Sequence, residues 1–475
     1  MITYNPRPLG EEALPQVVAI GPRIEDRKLV LVIGAGVSIG MPTCLPSGVE
    51  LARNVKARLL TSPLAAIIQP VANDDLLAMA DAVDTQLPET FPAFVRAILE
   101  TADFRAAMPN YAHLAIALLM AETNVPVLST NWDTCIERAS QPTASFIVAC
   151  TCRDNILNAG NSILLLKLHG CATNESSIRI SSRQIAEETW WAINQVGAAI
   201  ETGFVAFLGI GSIAPYIKTS VQKILGMSKQ LSNILIIDPL LSKEWGPLLT
   251  DPKKQNIAIS SEEFLDDILR TLTLSQLSRA NALAQEVAEG AHTGIDVKEA
   301  TRLVIDFFRK YPAHFIWLWV RRGFFSTGPN QSIMDPTFKQ FVLGLALINS
   351  VSPFSNFVAV ADTVYMRSEQ FVIEIAWARD PISAKTLYLK KSSSLSTDKK
   401  RNALPQDKPF VVVAYGAVGG PPASIMKDSI VEERHPADII DGSDTLDIRW
   451  VNLGDLIQNW EKAKICQMVG VGVND

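Results

Sequence analysis

The sequence predicts an α/β protein: a Rossmann-like parallel sheet, followed by a C-terminal mixed α/β module. Three observations carry this prediction. Short apolar runs recur at residues 29–33, 125–129, 145–150, 163–168, 203–208 and 234–237, and such runs read as strands buried on both faces of a parallel sheet. Stretches with helical spacing separate them, beginning with residues 47–60. Two of the runs stop on Gly-x-Gly, which lets the backbone turn tightly and approach a ligand without a Cβ in the way.

The first run and its turn, Leu29–Ile33 followed by Gly34-Ala35-Gly36-Val37-Ser38, organise the chain. A helix starting after such a turn directs free N–H groups and the positive end of its dipole at a phosphate. Gly40 falls one residue late for Gly-x-Gly-x-x-Gly, so the turn alone is a weak signal. Residues 61–120 are rich in Ala and Leu, with Pro88, Pro92 and Pro109 as punctuation, and His113 opens the helix that ends them. A lone histidine at a helix start reads first as structural.

The run at 125–129 ends in Thr130-Asn131-Trp132-Asp133, and the run at 163–168 in His169-Gly170-Cys171. Polar residues at the carboxyl ends of parallel strands are where an open α/β sheet binds its ligand. A helical stretch at 182–202 leads to the second glycine turn, Gly209-Ile210-Gly211-Ser212. The run at 234–237 ends in Asp238-Pro239, a ribose-hydroxyl acceptor or a turn-starting Asp-Pro. Ser261-Glu262-Glu263 reads as a helix entry of capping-box type, and the first domain closes near residue 275. Residues 276–320 are expected to be mostly helical, with the stripe Phe315-Ile316-Trp317-Leu318-Trp319 as core or interface. Strands are expected at Phe357–Tyr365, Gln370–Trp377, Thr386–Leu389 and Pro409–Tyr415, with an exposed loop at Lys390–Lys408.

At 475 residues the chain has room for two or three domains, here 1–275 and 276–475. A net charge of −6 argues against broad binding to nucleic acid or anionic membranes. The six cysteines, scattered apart from Cys150-Thr151-Cys152, form no paired Cys-x-x-Cys set and suit a reducing cytoplasm. The expectation is a cytoplasmic chain with neither a signal sequence nor a membrane span.

Taken in order, Gly34-Ala35-Gly36-Val37-Ser38, Ser129-Thr130-Asn131-Trp132-Asp133, Lys167-Leu168-His169-Gly170 and Gly209-Ile210-Gly211-Ser212 resemble the sirtuin family. Pro109-Asn110 with His113, Asp238 and Glu263-Phe264-Leu265 look like that family too. The resemblance covers about residues 15–275. It departs from the sirtuin deacylases in two places. The zinc ribbon after the catalytic histidine is missing, and the glycine loop continues into Leu45-Pro46-Ser47-Gly48. That form looks like sirtuin-like proteins of bacterial antiphage defence, which hydrolyse NAD.

The resemblance implies an NAD+ glycohydrolase that uses NAD+ as substrate and no metal. It implies Asn131 and His169 as the catalytic pair: Asn131 under the nicotinamide ribose positioning a water, His169 at the ribose hydroxyls as general base. It implies that Gly34, Ala35, Gly36 and Ser38 cradle the pyrophosphate through N–H groups and a hydroxyl. Thr130 and Asp133 belong to the binding set, Asp133 holding its loop or meeting the nicotinamide amide. Gly209, Gly211 and Ser212 line the phosphate or ribose side, and Asp238 takes the adenosine ribose. The polar strand-end residues Asn131 and His169 are not expected to fill core space. The resemblance further implies a homo-oligomer or a partner defence protein, a phage trigger, and a C-terminal control module. The rival readings are an NAD-dependent protein deacylase and an NAD or ADP-ribose sensor without turnover.

Overall fold

In the computed structural model, the described residues are 4–22, 28–72, 74–143, 146–160, 162–188, 190–210, 215–290, 296–314, 317, 336–360, 363–368, 372–377, 410–415, 448–452 and 461–469. They fall into two compact units. The first comprises residues 1–6, 13–141 and 145–272, and the second residues 7–12, 142–144 and 273–475.

The first unit is built on seven strands: β1 (Leu29–Ile33), β2 (Val127–Ser129), β3 (Ile147–Cys150), β4 (Ile163–Lys167), β5 (Phe204–Leu208), β6 (Ile234–Ile237) and β7 (Asn256–Ile257). Their order across the sheet is β3-β4-β2-β1-β5-β6-β7, and every pairing is parallel. This is the predicted α/β class. The five residues of β1 are 0% exposed, as an apolar strand covered on both faces must be. Each such side chain stabilises the fold by about 1.5–3 kcal/mol relative to leaving it in water. The chain winds away from β1 in both directions, with β2 on one side and β5 on the other. The carboxyl ends of β1 and β5 therefore flank a crevice at the switch point of the sheet.

Between β1 and β2 lies a helical insert with its own core, in which Leu51, Val55, Leu76, Met79 and Phe94 pack with Trp132. Helix α1 (Gly48–Leu59) is capped by Ser47, whose hydroxyl accepts from the Glu50 N–H at 3.3 Å. Helix α2 (Leu76–Gln86) is capped by the Asp75 carboxylate. Helix α3 (Tyr111–Thr123) starts in a capping box formed by Asn110 and His113, and ends on Asn124 in the left-handed region, φ 53°. The stretch at 182–202 is three short helices, Ser182–Glu188, Trp190–Gln195 and Gly197–Thr202. These cover the other face of the sheet with α4 (Pro215–Met227), around Ile193, Ile200, Val221 and Ile224.

Helix α5 (Ser261–Gly290) has its capping box one residue earlier than the sequence reading placed it. The Ser260 hydroxyl accepts from the Glu263 N–H at 3.1 Å, and Glu263 accepts from the Ser260 N–H at 3.0 Å. Ser-Ser at 260–261 offers two candidate caps, and only Ser260 stands three residues before Glu263, the spacing the box requires.

In the second unit, helices α6 (Val297–Lys310) and α7 (Pro336–Val351) accompany a five-stranded mixed sheet. Its strands are β8 (Phe354–Val360), β9 (Thr363–Ser368), β10 (Val372–Trp377), β11 (Phe410–Tyr415) and β12 (Ile448–Asn452), in the order β12-β11-β10-β9-β8. The single strand expected at Phe357–Tyr365 is the antiparallel pair β8 and β9. Trp317 is 1% exposed and donates to the Thr273 hydroxyl at 2.9 Å, so it is core of this unit and not free surface. The other four members of its stripe, the expected strand Thr386–Leu389 and the expected loop Lys390–Lys408 lie outside the described residues. No helix among the described residues is long and apolar enough to cross a membrane.

Candidate functional site

The turns after β1 and β5 meet backbone to backbone. The Gly34 N–H donates to Leu208 O at 2.9 Å and the Gly36 N–H to Gly209 O at 2.8 Å. A Cβ on Gly36 would stand 2.7 Å from the Gly209 Cα, and one on Gly209 2.4 Å from the Val37 nitrogen. Gly209 also holds φ +66°, where a side chain is strained. The Val37 N–H donates to Gly34 O at 3.2 Å. Glycine is thus required first for the contact between the two turns. The N–H groups of Gly34 and Gly36 are committed to that contact, so the expected pyrophosphate cradle built from them is corrected.

A cavity of about 530 Å³ opens at this crevice, lined by Ala35, Gly36 and Gly209. First-turn or capping residues of three helices also line it: Ser47, Gly48 and Val49 of α1, Asp75 and Leu76 of α2, and Ser260, Ser261 and Glu262 of α5. The positive dipole ends of three helices of 12, 11 and 30 residues therefore face one space. Asp238, at the end of β6, is in the wall as well. Its Oδ1 accepts from the Leu240 N–H at 3.0 Å, while Oδ2 is enclosed with no hydrogen-bond partner. Burial holds this carboxyl above its ordinary pKa.

Beneath the first glycine turn lies a closed polar network centred on Ser38, which is 2% exposed. The Asn110 N–H donates to His113 Nδ1 at 3.2 Å, which leaves the imidazole proton on Nε2. Nε2 then donates to the Ser38 hydroxyl at 3.1 Å, and that hydroxyl donates to Asp133 Oδ2 at 2.9 Å. Asn131 Nδ2 donates to the Ser38 oxygen at 3.2 Å and to Gly34 O at 3.1 Å. Burial pushes His113 down to about 4, so it is neutral here. Burial works against ionised Asp133, but the charge of Lys167 and the hydrogen bonds from the Cys135 N–H and Ser38 hold its pKa below the ordinary value. Ser38 therefore points into this network and not into the cavity wall, which corrects its expected role as a phosphate ligand. Asp133 also bonds within its own loop. Its Oδ1 accepts from the Cys135 N–H at 3.0 Å. Thr130 ties the strand ends, donating through its hydroxyl to Ile33 O at 3.1 Å.

Lys167, 1% exposed, pairs with Glu137 at 2.9 Å and donates to the Asp133 carbonyl. Burial opposes its charge, but Glu137, Cys171 and Asp133 more than offset that and push its pKa up to about 12. His169 is 0% exposed, and its Nε2 lies 3.1 Å from the hydroxyl of Ser220, itself 0% exposed. Burial pushes His169 down from the ordinary imidazole value to about 4. His169 also occupies core space, contrary to expectation. Neither Asn131 nor His169 is in the cavity wall. Gly211 and Ser212 lie outside the described residues.

Ser220 and Glu137, which sequence reasoning missed, complete this picture, together with Lys167, which it named only as a member of a strand-end motif and gave no role. Ser220 carried a signal, being the polar member of an otherwise apolar helical stripe with Ile217, Val221 and Ile224. Spacing likewise shows no metal-type cluster, yet the fold brings ligand atoms of His113, Asp133 and Cys135 within 4.8 Å of one another. His113 and Asp133 are hydrogen-bonded inside the Ser38 network, and burial and Asp133 raise the Cys135 thiol far from its ionised form.

No curated protein matches the chain. Among solved structures it is similar to a Sir2 homologue in complex with NAD, at 15% identity over 56% of this chain and 96% of that one, with a TM-score of 0.34. It is also similar to a mutant Sir2 homologue in complex with ADP-ribose, at 17% identity over 52% and 93% of the two chains, with a TM-score of 0.31. Residues 126–254 match the family model described as SIR2-like domain, a span that contains Asn131, His169, Gly209 and Asp238. The chain thus carries a SIR2-like domain.

Proposed function

We propose that the first unit binds NAD+ in the switch-point cavity and hydrolyses it to nicotinamide and ADP-ribose. The observation that carries this reading is the cavity itself: a glycine-walled space at the carboxyl ends of β1 and β5, with three helix N-termini opening on it. That arrangement attracts a pyrophosphate without needing a cationic side chain. Asp238, with one carboxylate oxygen enclosed and unmatched, accepts from the adenosine ribose.

The nicotinamide end lies on the Asn131 side of the glycine turn. Both amide hydrogens of Asn131 are committed to Gly34 and Ser38, so its oxygen remains to accept from a water or a ribose hydroxyl. Cleavage of the N-glycosidic bond releases neutral nicotinamide from an oxocarbenium-like centre. Water adds to that centre, and its proton leaves through neutral His169. Because His169 has no exposed surface, turnover requires the wall around it to open when substrate binds. The resemblance of Leu45-Pro46-Ser47-Gly48 extends the reading to an antiphage effector that depletes NAD+, with residues 276–475 as its control module.

The test is incubation of the purified full chain with NAD+, with and without lysate of infected cells, and chromatography of the products. Equimolar nicotinamide and ADP-ribose support the reading. A second reading, binding of NAD or ADP-ribose without turnover, is favoured by the enclosure of His169. Saturable binding with no product under either condition would establish it instead.

A further inference from the structure

The backbone at His169 is pinned. Its carbonyl accepts from the Trp132 indole at 2.9 Å and from the Arg179 N–H at 3.0 Å. The neighbouring Gly170 holds φ +91°, and a Cβ there would stand 2.2 Å from Ser177 O. β4, which leads into this loop, is paired on both sides, by β2 and β3. The imidazole therefore reaches a bound ribose by leaving its present contacts while its loop stays in place.

One of those contacts comes from α4, through the hydroxyl of Ser220 at 3.1 Å from Nε2. Three residues earlier, on the same face of this helix, Ile217 lines the cavity. One helix thus touches both the cavity and the imidazole. It is held unequally along its length. Val221, Ile224 and Leu225 belong to the large core cluster on that face of the sheet, whereas Ile217 packs in a small separate cluster with Ile185 and Leu77. A segment with few buried apolar partners opens at a lower free energy than the core around it.

We propose that the Ser220–His169 contact is a latch, which keeps the imidazole out of the cavity in the resting chain and breaks when the first two turns of α4 give way. This rests on the reading of His169 as the base of NAD+ hydrolysis and names the element that has to move for it. A ligand that binds the open arrangement more tightly shifts the population toward it. Because Ile217 is in the cavity wall, a ligand there acts on the helix that carries the latch.

The test is labelling of the full chain with diethyl pyrocarbonate at pH 7, read for each histidine by mass spectrometry. The reagent acylates neutral imidazole, and His169 and His113 are both neutral at that pH and both enclosed. Their rates therefore compare exposure, and His113 is the internal control for global unfolding. In the wild-type chain His169 should already be labelled faster than His113. Ser220→Ala should raise that ratio by about tenfold, since only the closed arrangement loses a hydrogen bond. Ile217→Ala, which loosens the start of α4 and leaves the hydroxyl in place, should raise it too. Equal rates in the wild-type chain, or a ratio that either variant leaves unchanged, would overturn the latch. Nicotinamide release from NAD+ is measured on the same samples. No release from any of them would remove the hydrolysis reading, and the labelling ratio would still decide the latch.

Discussion

His113 and His169 are both enclosed, and burial holds both near pKa 4 against an ordinary 6.5. The unfolded chain therefore binds protons more readily than the folded one between those values. Stability from these two groups is complete above about pH 6.5 and is lost as pH falls toward 4, by roughly 3 kcal/mol for each histidine. Urea midpoints at pH 7 and pH 4.5 should show that loss, and His113→Gln should reduce it. Removing His169 as His169→Ala should also destabilise the protein by about 2–3 kcal/mol, since it leaves a hole and strips Ser220 of its partner. Nicotinamide release should fall by about 10²–10⁴ in this variant and in Asn131→Ala. Near-normal release from the His169 variant would remove it as the base. The position of His169 was legible in the sequence because it follows an apolar strand directly. Its enclosure was not, since Ser220 lies 51 residues on in a different helix. The partners of Ser38, His113 and Asp133, are likewise 75 and 95 residues away.

At the scale of elements, six of the seven strands of the first sheet were legible because each is built on an apolar run with no alternation, the mark of burial on two faces, whereas the two-residue β7, Asn256–Ile257, offers no such run. Their order across the sheet was not, because nothing local distinguishes the neighbour β2 from the neighbour β5. The glycine turns were legible as turns, but their mutual contact depends on that order. Gly36→Ala and Gly209→Ala should therefore fail as structural variants, each losing about 2–4 kcal/mol in urea denaturation. Gly160→Ala is the control for backbone strain without crowding: its φ is +56° and nothing stands within 4 Å of its would-be Cβ. It should lose only about 1 kcal/mol. Equal losses in all three would show that the close approach of the two turns contributes nothing. In the second unit, the split of Phe357–Tyr365 into β8 and β9 escaped the sequence reading because apolar residues run through the end of β8 to Ala361 and no Gly or Pro separates the two strands.

At the scale of the whole chain, the first unit contains every described residue of the proposed NAD site, and the second contains none. Residues 1–275 alone and the full chain should then share one set of hydrolysis products, and only the full chain should respond to a trigger from infected cells. Nicotinamide release measured for both, with and without lysate, decides this. A full chain that is always active, or a second unit with chemistry of its own, would exclude a control role. The first compact unit ends at residue 272, inside α5, and takes in neither residues 7–12 nor 142–144.

The three described histidines have a consequence for calorimetry. His113, His169 and His314 are held near 4, 4 and 3, so none of them exchanges protons with solvent around neutrality. While they stay enclosed, these three add no buffer-dependent heat to ligand binding at pH 7, as titrations in phosphate and in Tris, whose ionisation enthalpies differ widely, would read it. A difference between the two buffers would reveal a group whose protonation is coupled to binding, and its sign would tell whether that group gains or releases a proton.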